Sequence, residues 1–278
     1  MDAVRDRYPE HFRRFGAHRL PMVAVATAMF ALLLFGMERL GFFDGKLLSG
    51  MGRLVEIAGL MLPPDPGSWA HARAYGMALI ETVAIALLGT LSAAILALPV
   101  GLLAARNVTA QRIVRFLARR SLDTIRSVDI LIWALIWINV VGLGPFAGAL
   151  AIMTSDIGSF GKLFSEAIEA ADRKPVEGIA SAGGSHFMGI RFGILPEVFP
   201  VLASQVLYYF ESNTRSATII GIVGAGGIGL HLAEAIRTLE LQQASFIILM
   251  ILVTVAAIDL VSSQLRFAMI GRRGGVGA

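Results

Sequence analysis

Five polar side chains, Ser204, Tyr208, Glu211, Arg215 and Thr218, recur at steps of four, three, four and three in an otherwise mostly apolar segment. At 3.6 residues per turn this spacing lines them along one helix face. A continuous polar stripe of this kind suits the wall of a hydrated pathway, because ionisable groups in an apolar span face water or a protein interior. Glu211 and Arg215 also stand four apart, in the order that favours an ion pair. A structural pair that lets the helix carry its own charges is the competing reading. A second constellation, Gly224-Ala225-Gly226-Gly227-Ile228-Gly229, satisfies G-x-G-x-x-G, the pattern that lets a backbone approach a pyrophosphate. It follows a strand-like run, Thr218 to Val223, and precedes a helix-like one, Leu230 to Leu239. The acidic residue that holds a ribose belongs about 20 positions on. Here Asp259 stands about 30 on, inside an apolar run, and no series of alternating strands and helices is present to build a sheet. A packed glycine turn is the preferred reading.

Other charged groups point to structure before chemistry. Asp123, Arg126 and Asp129 fall at i, i+3 and i+6 and predict an ion-pair ladder at one end of a span, a candidate gate. Asp156 is expected as a buried structural partner. Trp133 and Trp137, one turn apart, read as packing residues. The five histidines show no ligand spacing, so no metal site is expected. With no cysteine there is no disulfide framework, thiol nucleophile or cysteine-ligated cluster. No G-x4-G-K-[ST] loop is present, and nothing suggests hydrolytic machinery or a cofactor site in this chain.

The elements that would position these residues are membrane helices. Of 278 residues, 56% are hydrophobic and only 16% charged, against roughly a quarter charged in ordinary soluble domains. The mean hydropathy is +0.71. A net charge of +4 is too small to argue for nucleic acid. Long uncharged runs predict six spans, at about 20–42, 76–103, 121–142, 145–166, 196–220 and 241–266, with a turn at Gly142-Leu143-Gly144-Pro145. The N-terminal run is too long for a signal-peptide core and is followed by Glu38-Arg39, so it reads as an uncleaved span. Arginines cluster at Arg5, Arg7, Arg13, Arg14 and Arg19, at Arg106, Arg112, Arg115, Arg119 and Arg120, and at Arg266, Arg272 and Arg273. An even number of spans puts all three groups on one side, the cytoplasm by the positive-inside rule. The 43–75 segment, mixed in charge and rich in Pro and Gly, falls outside.

The connection at 167–195 is too polar to cross a bilayer and longer than a turn requires. It predicts two short helices with Gly183, Gly184 and Ser185 at the bend. Both a docking surface and an ordinary interfacial helix pair satisfy that pattern. The segment resembles the E-A-A-x3-G-x9-I-x-L-P signature of ABC-importer permeases, with Glu177, Gly183, Leu195 and Pro196 in register. Gly178 and Ile179 replace the two alanines, and Gly193 replaces the isoleucine. The resemblance extends through Glu81-Thr82, Arg126 to Ala134, Gly142 to Gly148, Gly161 to Glu169, and Phe210 to Thr218 running into the glycine motif. Over about residues 76–268 these stretches resemble the phosphonate-import branch of the permeases.

The resemblance implies an all-α membrane protein of type I ABC-importer permease architecture in a bacterial inner membrane. It divides the chain into a cytoplasmic arm (1–19), a first helix with an extracytoplasmic segment (20–75), a permease core (76–268) and a cytoplasmic tail (269–278). It implies a transport subunit rather than an enzyme. ATP and Mg would be bound by a cytoplasmic ATPase dimer docking at Glu177, Gly183, Gly184, Ser185, Leu195 and Pro196, with Ala182 to Ile190 as the contact segment. The other implied partners are a second permease copy or paralogue, a substrate-binding protein outside, and the bilayer. For an anionic substrate Arg215 offers fixed donors matched to phosphonate oxygens, and Glu211 would temper the attraction. Asn213 and Ser216 would add neutral hydrogen bonds along the pathway. Rival readings are an importer for phosphate, phosphite or methionine, a proton-coupled carrier using Asp156 and Glu211, and a membrane oxidoreductase using the glycine motif.

Overall fold

A computed structural model of the chain describes residues 20–42 and 45–270. The expected N-terminal arm 1–19, with its five arginines, and residues 271–278, with Arg272 and Arg273, lie outside the described residues. Among the described residues every regular element is helical. The chain divides into two compact units, residues 1–60 and 61–278. The first holds α1 (Leu20–Arg39) and α2 (Lys46–Leu60). The 20 residues of α1 carry no charge before Glu38, and at 1.5 Å per residue they reach about 30 Å, a bilayer's hydrocarbon thickness. Within the 43–75 segment α2 covers 46–60 and a further helix begins at Trp69, so the Pro- and Gly-rich stretch 61–68 is the irregular part among the residues from 45 on.

The second unit contains α3 (Trp69–Ala104), α4 (Arg112–Arg126), α5 (Ile130–Val141), α6 (Pro145–Glu169), α7 (Lys174–Ser181), α8 (His186–Met188), a π-helical stretch (Gly189–Ile194), α9 (Leu195–Ile222), α10 (Ile228–Arg237) and α11 (Leu241–Ile270). α3 begins seven residues before the expected 76, because the Ser68 hydroxyl accepts a hydrogen bond from the His71 N–H at 3.2 Å and caps it there. The entry to α3 is tied to α11: the Ser245 hydroxyl donates to the Met61 carbonyl at 2.6 Å, and Asp65 N–H to the Gln242 carbonyl at 3.3 Å.

The span expected at 121–142 is not one helix. α4 and α5 meet at an angle of 88°, and the Asp129 carboxylate caps α5 by accepting from the Leu131 N–H at 2.8 Å. The physical reason is composition: α4 carries five arginines in 15 residues, which suits a membrane surface more than its interior. The expected 145–166 span is α6, whose 25 residues include Asp156 and Lys162. By length and composition four described helices can cross a membrane, or five if the bent pair is one span. The expected six therefore counts α6, which tolerates its polar residues because α3, α4, α5 and α9 surround it.

Three hydrophobic clusters follow one another along α3: Tyr75 and Ala78 with Ile228 and Ile247, then Ile85 and Ala86 with Ile152 and Ile220, then Ala93 and Ala97 with Phe160, Phe164 and Val198. Small residues allow the close crossings that drive helix association in lipid. A Cβ on Gly89 would stand 2.7 Å from the Ile152 Cβ, and one on Gly158 would stand 2.7 Å from the Arg126 backbone nitrogen.

Candidate transport site and coupling loop

The loop between α6 and α9 is two short helices folded back on each other. α7 ends where Gly183 takes a left-handed φ of +83°, and the Gly184 N–H returns to the Ile179 carbonyl at 2.9 Å. Ser185 then caps α8, accepting from the Met188 N–H at 3.4 Å. Gly193, the departure from the family pattern, lies against α7: a Cβ there would stand 3.1 Å from Val176 Cγ2 and 3.3 Å from the Val176 nitrogen. The substitution permits this close approach.

Leu195 and Pro196 open α9, and the helical path from His186 through the π stretch to Ile222 is continuous over 37 residues. Phe187 (67% exposed), Met188 and Phe192 turn outward near its start. A cleft of about 250 Å³ at the base of the loop is lined by Asn107, Asp172, Arg173, Val176, Glu177 and Ile194. Glu177 is exposed. His186 Nε2 lies 3.0 Å from the Val108 carbonyl, and the Glu197 carboxylate accepts from the Asp172 N–H at 2.9 Å. Glu169 accepts from Arg119 at 2.5 Å and from the Arg106 N–H at 2.6 Å, fixing the base of the loop.

The other end of α9 is the glycine motif. Thr218 to Val223, strand-like as a sequence, is the helix terminus running into the turn, and Gly224, Gly226 and Gly227 all have left-handed φ angles. The start of α10 points its backbone donors at α3. The Gly227 N–H donates to Glu81 Oε1 at 2.9 Å and the Ile228 N–H to Thr82 Oγ1 at 2.8 Å. A helix N-terminus is an anion site in its own right, and here the protein's own carboxylate fills it. The Gly144 N–H donates to the Gly224 carbonyl at 3.0 Å, joining this turn to the one before α6. The packing leaves no room for a nucleotide: a Cβ on Gly229 would stand 2.0 Å from the Thr218 carbonyl oxygen.

Between these ends α9 carries a second polar face besides the expected stripe. Glu211, Arg215 and Tyr208 face α11. Arg215 Nη1 bonds Glu211 Oε1 at 3.1 Å, and Arg266 Nη2 from α11 reaches Glu211 Oε2 at 3.4 Å. The Arg266 guanidinium lies 5.8 Å from the Tyr208 ring centre and 3.8 Å from Asp259 Oδ1. Glu211 is buried, whereas the Arg215 side chain is 49% exposed. The opposite face looks into the bundle. Asn213 is 4% exposed, and its amide donates to Thr90 Oγ1 at 2.8 Å and to Asp156 Oδ2 at 2.5 Å. Thr218, buried, donates to the Thr214 carbonyl at 3.3 Å. Asn213 thus bonds inside the α3–α6–α9 crossing rather than beside Arg215, whereas Thr218, seven residues after Glu211, stays on the Glu211 side of the helix. Ser204 and Ser216 are partly buried, and the Ser216 hydroxyl donates to the Ser212 carbonyl at 3.4 Å.

The expected ladder of Asp123, Arg126 and Asp129 does not form: the bend after α4 carries Asp129 away to cap α5, and Asp123, although in α4 with Arg126, turns to other partners. Asp123 instead pairs with Arg120 at 3.6 Å and Lys162 at 4.0 Å. Arg266, which joins the Glu211–Arg215 cluster, stands in the sequence only as one of the C-terminal arginines. Its spacing of seven from Asp259 was the available signal. Among the described residues no three His, Asp or Glu side chains converge as a metal site.

A polytopic helical bundle with a protruding helical loop continuous with a charged span is the build of a transport subunit. The chain belongs to the family described as binding-protein-dependent transport system inner membrane component, whose model matches residues 97–272. It is 35% identical over 268 residues to a phosphite transport system permease protein of Stutzerimonas stutzeri, covering 96% of each chain. It is 35% identical over 271 residues to a phosphate-import permease protein of Mycolicibacterium smegmatis, covering 96% of this chain and 48% of that one. Among solved structures, an inward-facing methionine ABC transporter chain aligns with a TM-score of 0.64 at 18% identity, covering 73% of this chain and 99% of that chain. At that identity the likeness establishes the fold, an ABC-importer permease fold, and no more.

Proposed function

We propose that this chain is the membrane subunit of an ATP-driven importer for phosphorus oxyanions, phosphite, phosphate or a phosphonate. The full-length similarity to a phosphite permease carries this reading, and the half-exposed guanidinium of Arg215 on a spanning helix supports an anionic cargo. Loop 177–196 docks a cytoplasmic ATPase dimer, where ATP and Mg are bound, through Phe187, Met188 and Phe192. Because this loop continues into α9, displacement at Phe187 reaches Glu211, 24 residues or about 36 Å away, through one helix. A binding protein delivers the anion from outside, and a second copy or paralogue completes the pathway. Both chain ends, including the arm 1–19 and the tail 269–278, lie in the cytoplasm, as the arginine distribution supports. In proteoliposomes holding the chain with its ATPase and binding protein, phosphite or phosphate uptake should require ATP. Uptake that follows an ion gradient and ignores ATP would instead identify a secondary carrier.

A further inference from the structure

Resting on the reading of the open α9 face as a pathway wall, we propose that Arg215 and Arg266 form a single oxyanion site across α9 and α11. Glu211 is its built-in occupant, displaced when the transported oxyanion arrives. The two Glu211 oxygens are shared between two helices: Oε1 takes Arg215 at 3.1 Å and Oε2 takes Arg266 at 3.4 Å. A phosphite or phosphonate presents the same acceptor oxygens to guanidinium forks, so one anion can replace the other with neither arginine left unpaired.

Arg266 does not depend on Glu211 for its position. The Tyr208 ring lies 5.8 Å from its guanidinium carbon, and Asp259, half exposed, lies at 3.8 Å. Arg215 keeps donors open on its exposed side. Neutralising Glu211 would take one arginine. Two around one buried carboxylate leave a cationic excess that Asp259, longer and screened, offsets only weakly. The site also lies inside the bundle's length. The neighbouring Asn213 contacts Thr90, which is 14 residues, about 21 Å, from the Ala104 end of α3. A tethered competitor solves a transport problem: the arginines can capture an anion, and the returning carboxylate, at high effective concentration, expels it.

The test uses the purified complex of permease and ATPase without the binding protein, measuring radiolabelled phosphate and phosphite by equilibrium dialysis. Glu211→Gln should bind phosphate at least tenfold more tightly than wild type, while its ATP-driven uptake in proteoliposomes that also hold the binding protein slows. Arg266→Gln combined with Glu211→Gln should abolish that gain. Arg266→Lys, which keeps the charge but loses the fork, should weaken phosphate binding about fivefold in the otherwise wild-type chain. The proposal is overturned if a monodisperse Glu211→Gln complex binds phosphate no more tightly than wild type, if the double variant keeps the gain, or if Arg266→Lys binds as wild type does. Where the wild-type chain with its ATPase and binding protein imports phosphite in proteoliposomes, any of these results overturns the displaceable carboxylate alone. A wild-type chain that imports neither phosphite nor phosphate there overturns the importer reading with it.

Discussion

The two ends of α9 are both built on glycine, and they differ in what surrounds it. At the Leu195 end, Gly183 has nothing within 4 Å of a Cβ built upon it, and Phe187 and Phe192 are turned outward. At the Ile222 end, Gly226, Gly227 and Gly229 are buried, and the backbone donors of α10 are taken by Glu81 and Thr82. Glycine serves backbone shape at Gly183 and packing within the short-helix loop at Gly184 and Gly193, whereas at the second end both roles fall in one buried turn held against α3 and α6. The helix is thus fixed at one end and presented at the other, with the charged cluster of Glu211, Arg215 and Arg266 between the ends.

Breaking the closed end should have the largest effect. Gly229→Ala forces a methyl group to within 2.0 Å of the Thr218 carbonyl, a clash with backbone that cannot move aside cheaply. We expect most of the monodisperse protein to be lost on size-exclusion chromatography in detergent, and ordinary yield would contradict a locked turn. At the open end, Gly183→Asp strains a positive-φ residue but meets empty space. This variant should elute as wild type does while ATP turnover by the associated ATPase falls at least tenfold. A collapse in yield would make the open end structural too.

Smaller effects sharpen the contrast. Phe187→Ala with Phe192→Ala should weaken ATPase association by about tenfold, a change of ~1.4 kcal/mol, without moving the thermal midpoint. Glu81→Ala should lower stability by about 1–2 kcal/mol through loss of the acceptor at Gly227, while Glu81→Gln, which keeps an acceptor, should cost less in the same thermal scan. Thr82→Val, losing only the hydroxyl at Ile228, should cost about 1 kcal/mol.

Local signals were legible wherever the chain speaks to its near neighbours. The turn at Gly142–Pro145 and the two-helix loop around Gly183 stand where residue chemistry predicts them, because glycine and proline act on their own backbone. What escaped depends on distant partners. A periodic stripe cannot tell which of two polar faces turns inward, and the answer for Asn213 lies 123 residues away at Thr90 and 57 away at Asp156. The same holds for Arg266, which is 55 residues from Glu211. The break between α4 and α5 was hidden by the apolar run of α5. Hydropathy averaged over a window does not register that α4's arginines and apolar residues together favour a surface.

The central claim is that the open end of α9 couples this chain to an ATPase and the closed end does not. The most direct measurement is copurification of the candidate ATPase with wild type, Glu177→Ala, Gly183→Asp and Glu81→Gln, with ATP turnover measured on each. The account predicts that wild type and Glu81→Gln retain the ATPase and stimulate it, and that the two loop variants lose binding or stimulation while remaining folded. Equal association and turnover across all four folded proteins, or no association with wild type, would contradict it.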